Sequence, residues 1–335
     1  MLSRRIKVFL LSAIAIIIAV LVFIYFAEKV HPLMSNQFIY WSNEWQTIRK
    51  SNIIEKKTIT SGSELDFDFI HVSEIKITGV TTNTDDDTSV VAYIDKKGTL
   101  VTVSELKKGK IILGVSDNKK HSFRLIFYCR GYNPCNFTLT DLFIKGGSIL
   151  KPHIAPLKTI GIVGDSISLL YANNNYSSIL SRNISYHLHN ASIWGRDLSH
   201  TGKRFPAVEL IAKDVLPYKP DIVIISLGTN DILDSVKEND FINDYKEIIN
   251  QIKSGLPRAK IIVLSIMPGK THQLEGTTKL WNTDMQKLFT DDVIFIDIIN
   301  LLRPADYLDA IHANLQGQKK LADFLTKYLV SHKLL

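Results

Sequence analysis

From about residue 157 to the C-terminus, short uninterrupted apolar runs alternate with segments of helix length. The runs are TIGIVG (159–164), a segment near 189–194, DIVIISLG (221–228), KIIVLSIMP (260–268) and VIFIDI (293–298). Helices are expected over about 166–182, 241–254 and 315–330. A strand that is apolar on every residue must be covered on both faces, so this half of the chain predicts a three-layer α/β domain with a parallel sheet in the middle. In sheets of that kind the chemistry lies at the carboxyl ends of the strands. Those ends are where site residues are sought below.

The rest of the chain divides into three pieces. Arg4, Arg5 and Lys7 precede a run without a single charge over residues 8–27. Twenty residues at about 1.5 Å each span about 30 Å, the thickness of the hydrocarbon layer of a bilayer. The alternative is a cleaved signal peptide, but its apolar core would be about 7 to 15 residues long and would end in a small-x-small site. Here Phe23, Ile24, Tyr25 and Phe26 fill the exit. Residues 1–30 are therefore read as a cytoplasmic tip and a transmembrane signal anchor. The cations before the span place the N-terminus inside, so everything after residue 30 faces outward, into a periplasmic, extracellular or lumenal space.

Residues 31–52 are read as a juxtamembrane linker with no assigned fold. Residues 53–150 carry short runs of period-two alternation, such as LDFDFIHV, EIKITGV, SVVAYID and SFRLIFYC, separated by breakers such as DDD and KKG. This predicts an antiparallel, jelly-roll-like β-sandwich without helices. Its role is either packing or the presentation of a carbohydrate-binding face. Residues 151–335 form the α/β domain.

Forty Lys+Arg against 33 Asp+Glu give a net charge of +7. No basic helix interleaved with stacking aromatics accompanies it, so no nucleic-acid partner is expected. Lys107, Lys108, Lys110, Lys119 and Lys120 read as solvated turn charges, with an acidic glycan as the alternative ligand. The two cysteines, Cys129 and Cys135, enclose a short loop and would face an oxidising compartment. A local disulfide is the preferred reading, and two buried thiols are the alternative. A zinc site is not expected, because neither cysteine has a partner at CxxC spacing.

Three segments bring reactive side chains to strand ends. The first strand runs into Gly164-Asp165-Ser166, which presents a hydroxyl at a helix start, although a serine there, taken alone, reads first as a helix cap. The strand DIVIISLG runs into Gly228-Thr229-Asn230-Asp231, which brings a side-chain amide to the same edge. Asp309 and His312 stand three residues apart just before the last helix, a spacing that lets a carboxylate fix one imidazole tautomer. Asp165 and Asp231 read as structural carboxylates that accept from nearby backbone amides. Trp194 could line an acyl or sugar pocket or belong to the core. Asn136-Phe-Thr, Asn175-Tyr-Ser, Asn183-Ile-Ser and Asn190-Ala-Ser match glycosylation triplets, which matter only in a host that uses them.

GDSIS (164–168), Gly195 in NASIWGRDL, GTND (228–231) and DAIH (309–312) together resemble the four blocks of the SGNH (GDSL-type) hydrolases, in the family's order. One departure is Ile167, where the family's name motif has leucine. A sandwich directly before the hydrolase domain is similar to the layout of carbohydrate esterase family 2. The resemblance implies a flavodoxin-like fold and a catalytic triad of Ser166, Asp309 and His312. It also implies an oxyanion hole made by the backbone N–H groups of Ser166 and Gly195 and the Asn230 amide, with no metal or other cofactor. The expected activity is that of a membrane-anchored O-acetylesterase acting on an acylated carbohydrate of the cell envelope. An acyltransferase using the same serine, or a glycan-binding protein with a vestigial site, are the alternatives.

Overall fold

The computed structural model of the chain describes residue 16 and residues 30–34, 39–50, 53–58, 60–82, 88–95, 97–115, 117–129, 136–150, 158–270, 274–289 and 292–335. The proposed span over 8–27 lies outside them except for Ile16. Among the described residues no helix is long and apolar enough to cross a membrane.

The N-terminal half is built from β1 (Val30–Pro32), β2 (Tyr40–Trp41), β3 (Gln46–Lys50), β4 (Ile53–Thr58), β5 (Glu64–Ile70), β6 (Glu74–Thr81), β7 (Thr88–Ile94), β8 (Lys97–Val101), α1 (Val103–Lys108), β9 (Lys110–Leu113), β10 (His121–Cys129), β11 (Phe137–Lys145) and β12 (Ser148–Leu150). One antiparallel sheet has the order β3-β4-β11-β6-β9 with β1 on β11, and the other has β12-β5-β10-β7-β8 with β2 on β5. Alternate residues of each strand meet between the sheets, as period two requires. Phe67, Phe123 and Phe127 from one sheet pack there with Ile75, Phe137 and Leu142 from the other. The Phe127 and Phe137 rings stack at 4.9 Å across the gap.

The sandwich departs from the sequence reading in two places. Residues 40–50, to which no fold was assigned, supply strands to both sheets. Their apolar content is too short to read as period two, and the pairing is set by β5 and β4 instead. The helix-free expectation fails at α1. Thr102 accepts from the Glu105 N–H while the Glu105 carboxylate accepts from the Thr102 N–H, a capping box whose T-x-x-E signature was present in the sequence. Cys129, at the end of β10, is buried and disulfide-bonded. The expected bridge names Cys135 as its partner, which lies outside the described residues. Lys110 pairs with Glu105 and Lys120 with Asp68, in keeping with surface charges satisfied locally.

The C-terminal half comprises β13 (Thr159–Gly164), α2 (Tyr176–Ile184), β14 (His187–Asn190), α3 (Ala207–Asp214), β15 (Ile222–Ser226), α4 (Thr229–Leu233), α5 (Glu238–Gly255), β16 (Lys260–Leu264), α6 (Glu275–Leu288), β17 (Val293–Ile296) and α7 (Leu315–Ser331). All pairs in its sheet are parallel, in the order β14-β13-β15-β16-β17. That is the flavodoxin-like order. Neighbouring residues of one strand serve opposite layers. Ile222 and Ile224 join Tyr176, Leu180, Leu321 and Leu325 on one face, whereas Val223 and Ile225 join Ile211, Phe241, Tyr245 and Trp281 on the other. This is why the runs show no polar alternation.

The helix expected over 166–182 is broken. Short 3-10 turns at Ser166–Ser168 and Ala172–Asn174 precede α2, and the second opens on two residues of positive φ, its cap Tyr171 at 71° and its first residue Ala172 at 45°. Asn175 then restarts the helix by accepting from the Ser178 N–H. The strand expected near 189–194 ends at Asn190. Ala191 and Ile193 still donate to Ile162 and Gly164 of β13, and the chain then turns away at Gly195. Asn175 and Asn190 are buried and hydrogen-bonded, so neither is an accessible glycosylation acceptor in the folded chain.

One of the apolar clusters spans the two halves. Val91, Ile126 and Tyr128, on the outer face of the sandwich, pack in the same cluster as Tyr176, Leu180 and Leu188. Beside it the backbones nearly touch. Gly62 has φ 98°, and a Cβ there would lie 2.0 Å from the Leu188 carbonyl oxygen, so only glycine fits. A buried charge cluster closes the junction. His187 Nε2 and His189 Nδ1 lie 2.9 and 3.0 Å from Glu44 Oε1, and His187 Nδ1 lies 3.1 Å from Glu64 Oε1.

Candidate active site

β13 and β15 end side by side, and the loops that follow them meet at the carboxyl edge of the sheet. Asp165 Oδ1 accepts from the Ile167 N–H at 2.8 Å, so the capping task falls to Asp165 and the Ser166 hydroxyl is left for another partner. Ser166 Oγ lies 2.8 Å from His312 Nε2, and the serine is only 3% exposed. The opposite ring nitrogen, His312 Nδ1, lies 2.8 Å from Asp309 Oδ2. A carboxylate can only accept, so Nδ1 carries the proton and Nε2 is free to receive one from the serine.

The loop that carries Asp309 and His312 is closed at its base. The Leu308 N–H donates to the His312 carbonyl, and Tyr307 bridges to Ala313. Asp309 Oδ1 accepts from the Ile311 and His312 N–H groups at 3.0 and 2.8 Å. Partial burial by itself raises the pKa of this carboxyl, but the backbone donors and the imidazole outweigh it and hold Asp309 below the usual carboxylate range. The carboxylate that orients the base thus stays ionised at neutral pH.

Three consecutive residues of the loop after β14 bring the remaining pieces together. The Trp194 ring lies 5.5 Å from the His312 ring, which puts this tryptophan beside the base and not in the core. Gly195 has φ 73°, a conformation that favours glycine. The Arg196 carbonyl accepts from Asn230 Nδ2 at 3.1 Å, and Asp165 Oδ2 accepts from the same nitrogen at 3.2 Å. The Asn230 amide is therefore held at the site between two long hydrogen bonds, and an oxyanion would share its N–H groups with them.

Asp165 and Asp231 take the structural places expected of them. Asp231 accepts from the Leu198 and Ser199 N–H groups, which pins the chain beyond Gly195. Burial pushes both carboxyls up to about 7, against the pull of their backbone donors. Arg196 was not anticipated. It is 1% exposed, and its guanidinium donates to the Ala191 carbonyl and to Asp214 Oδ2, both at 2.8 Å. That buried fork fixes the loop from within, and nothing in the local sequence marks it.

A covered parallel sheet with a serine, a histidine and an aspartate bonded in series at its carboxyl edge defines the α/β serine hydrolase class. Residues 162–320 match the sequence profile of the GDSL-like lipase/acylhydrolase family, to which the C-terminal half is thus similar. No curated protein matches the chain by sequence. Among solved structures, a family two carbohydrate esterase from Cellvibrio japonicus is 17% identical with a TM-score of 0.70, over 90% of this chain and 97% of that one. An acetyl xylan esterase from the rumen bacterium Butyrivibrio proteoclasticus is 14% identical with a TM-score of 0.64, over 91% and 98%. The salicylyl-acyltransferase SsfX3 of a tetracycline biosynthetic pathway is 12% identical with a TM-score of 0.68, over 92% and 98%. The likeness extends through both halves of the chain, so the sandwich followed by the hydrolase domain is a shared architecture.

Proposed function

We propose that this chain is a serine O-acetylesterase acting on a carbohydrate of the cell envelope, held at the membrane by residues 8–27 with its catalytic domain outside. The observation that carries the reading is the bonded series Ser166, His312 and Asp309. Ser166 Oγ attacks the ester carbonyl carbon as His312 Nε2 takes its proton, and Asp309 holds the resulting imidazolium. The Ser166 and Gly195 N–H groups and the Asn230 amide receive the oxyanion. His312 returns the proton to the departing sugar hydroxyl, then activates the water that releases acetate from Ser166. Carbohydrate esterases of the same architecture support a sugar as the alcohol. The uncharged run over 8–27 behind Arg4, Arg5 and Lys7 supports the anchor and its orientation.

One experiment tests reaction and topology together. Wall-stripped cells expressing the full chain should release acetate from added acetylated polysaccharide, and cells expressing Ser166→Ala should not. Activity that appears only after lysis would place the domain inside. Transfer of acetyl to an added sugar acceptor in place of acetate release would make the chain an acyltransferase, as the similarly folded SsfX3 is named.

A further inference from the structure

Trp194, Gly195 and Arg196 are consecutive, and each touches a different neighbour. Trp194 lies against the His312 ring, and Arg196 accepts from the Asn230 amide. Gly195, between them, has the guanidinium of Arg204 lying over it: a Cβ on Gly195 would be 3.1 Å from Arg204 Nη1. The nearest side chain over the bare glycine face is therefore a cation.

This cation is held in place and open to solvent. The Arg204 N–H donates to Asp197 Oδ2 at 2.8 Å and its carbonyl accepts from the Asp197 N–H at 3.0 Å, which ties the ends of the 197–204 loop together. Gly202 packs so tightly on Asp197 that a Cβ would come within 2.4 Å of it. Phe205, the next residue, is exposed and sits at φ 48° just before Pro206, a conformation that a bulky residue adopts only where its surroundings impose it. Nη2 of Arg204 is 3.0 Å from Asp234 Oδ2, while the side chain remains 45% exposed. Lys203, 69% exposed, approaches the same carboxylate at 3.7 Å. Asp234 faces both cations from one side only, and Asp197 is engaged by the backbone of this loop, so the guanidinium keeps a solvent-facing edge. Across the site, the backbone of Lys270 donates to the Ala310 carbonyl of the loop that bears Asp309 and His312. Asp309, the acidic group on that side, is engaged by His312 and by the backbone.

We propose that Arg204 is a specificity residue that holds an anionic group of the glycan, carboxylate or phosphate, beside the ester that Ser166 attacks. This rests on the esterase reading for the word ester, but not for the anion site. A planar guanidinium with donors still open to solvent matches either oxyanion, and the tied loop means that little order is lost on binding.

Binding to the full-length Ser166→Ala protein tests the site without turnover. At low salt, calorimetry with a galacturonate oligomer, a glycerol phosphate oligomer and neutral xylohexaose should show at least one acidic ligand binding about tenfold more tightly than the neutral one. Which acid binds tells carboxylate from phosphate. Adding R204Q to Ser166→Ala should erase that preference, and R204K should restore part of it. The unmutated chain should also favour acetylated acidic polymer over neutral polymer in kcat/KM, through KM and not kcat. Equal affinity for all three ligands, or a preference that survives R204Q, would overturn the proposal. Absence of esterase activity from the unmutated chain, with the binding preference intact in Ser166→Ala, would instead refute the esterase reading alone.

Discussion

Ser166→Ala and His312→Ala are each expected to lower kcat for an acetyl ester by about 10⁴ to 10⁶. The two side chains act as one unit through the 2.8 Å contact between Oγ and Nε2, so either loss removes the nucleophile as a reacting group. The double variant should be hardly worse than either single one. Asn230→Ala should cost less, about 10² to 10³ in kcat with a smaller change in KM, because its amide meets a charge that exists only in the transition state. Steady-state kinetics on 4-nitrophenyl acetate measure all four variants. Additive losses in the double variant would mean that Ser166 and His312 act independently.

The largest effect on stability is expected at the junction of the two halves. Glu44 is almost fully buried, and its Oε1 meets both His187 and His189. Burial alone disfavours its charge, but the two histidines hold its pKa well below the usual 4.5. Burial also works against a charged His187, yet the Glu64 and Glu44 carboxylates raise it from 6.5 to about 10. Glu44→Ala removes one side of this arrangement and leaves buried charge uncompensated, at a cost of about 3 to 5 kcal/mol. Denaturant unfolding of the full chain at pH 7 would read it as a lower midpoint. A loss below about 1 kcal/mol would mean that desolvation of the ions already cancels their attraction.

The cluster also sets a pH dependence of definite sign. The raised pKa of His187 gives stability that is complete below pH 6.5 and fades as pH climbs towards about 10. The lowered pKa of Glu44 gives stability that is present above pH 4.5 and fades below it. Between pH 7 and 10 the chain should therefore weaken, and His187→Gln should flatten that slope.

The hydrolase half was legible in the sequence because its constraints are local. Ile222, Val223, Ile224 and Ile225 serve two opposite layers in turn, so the strand must be apolar throughout. The site blocks were found because they sit where strands end, a place that topology fixes in advance. Glu44 was not legible, since it meets His187 across 143 positions of sequence and lies in a stretch without strand periodicity. Arg196 looks like a surface charge until its carboxylate and carbonyl acceptors close round it. The break in the helix after Ser166 comes from positive φ at Tyr171 and Ala172, which neither residue's propensity announces. The first helix, by contrast, was written in Thr102 and Glu105 and was passed over.

Whether Ser166 carries the acyl group is tested most directly by acid-quenching the full-length protein during turnover of 4-nitrophenyl acetate and mapping the adduct by mass spectrometry. A single acetyl group should appear on Ser166 and should be missing when His312 is replaced by glutamine. Acetylation of a different residue, or undiminished acetate release by Ser166→Ala, would contradict the mechanism.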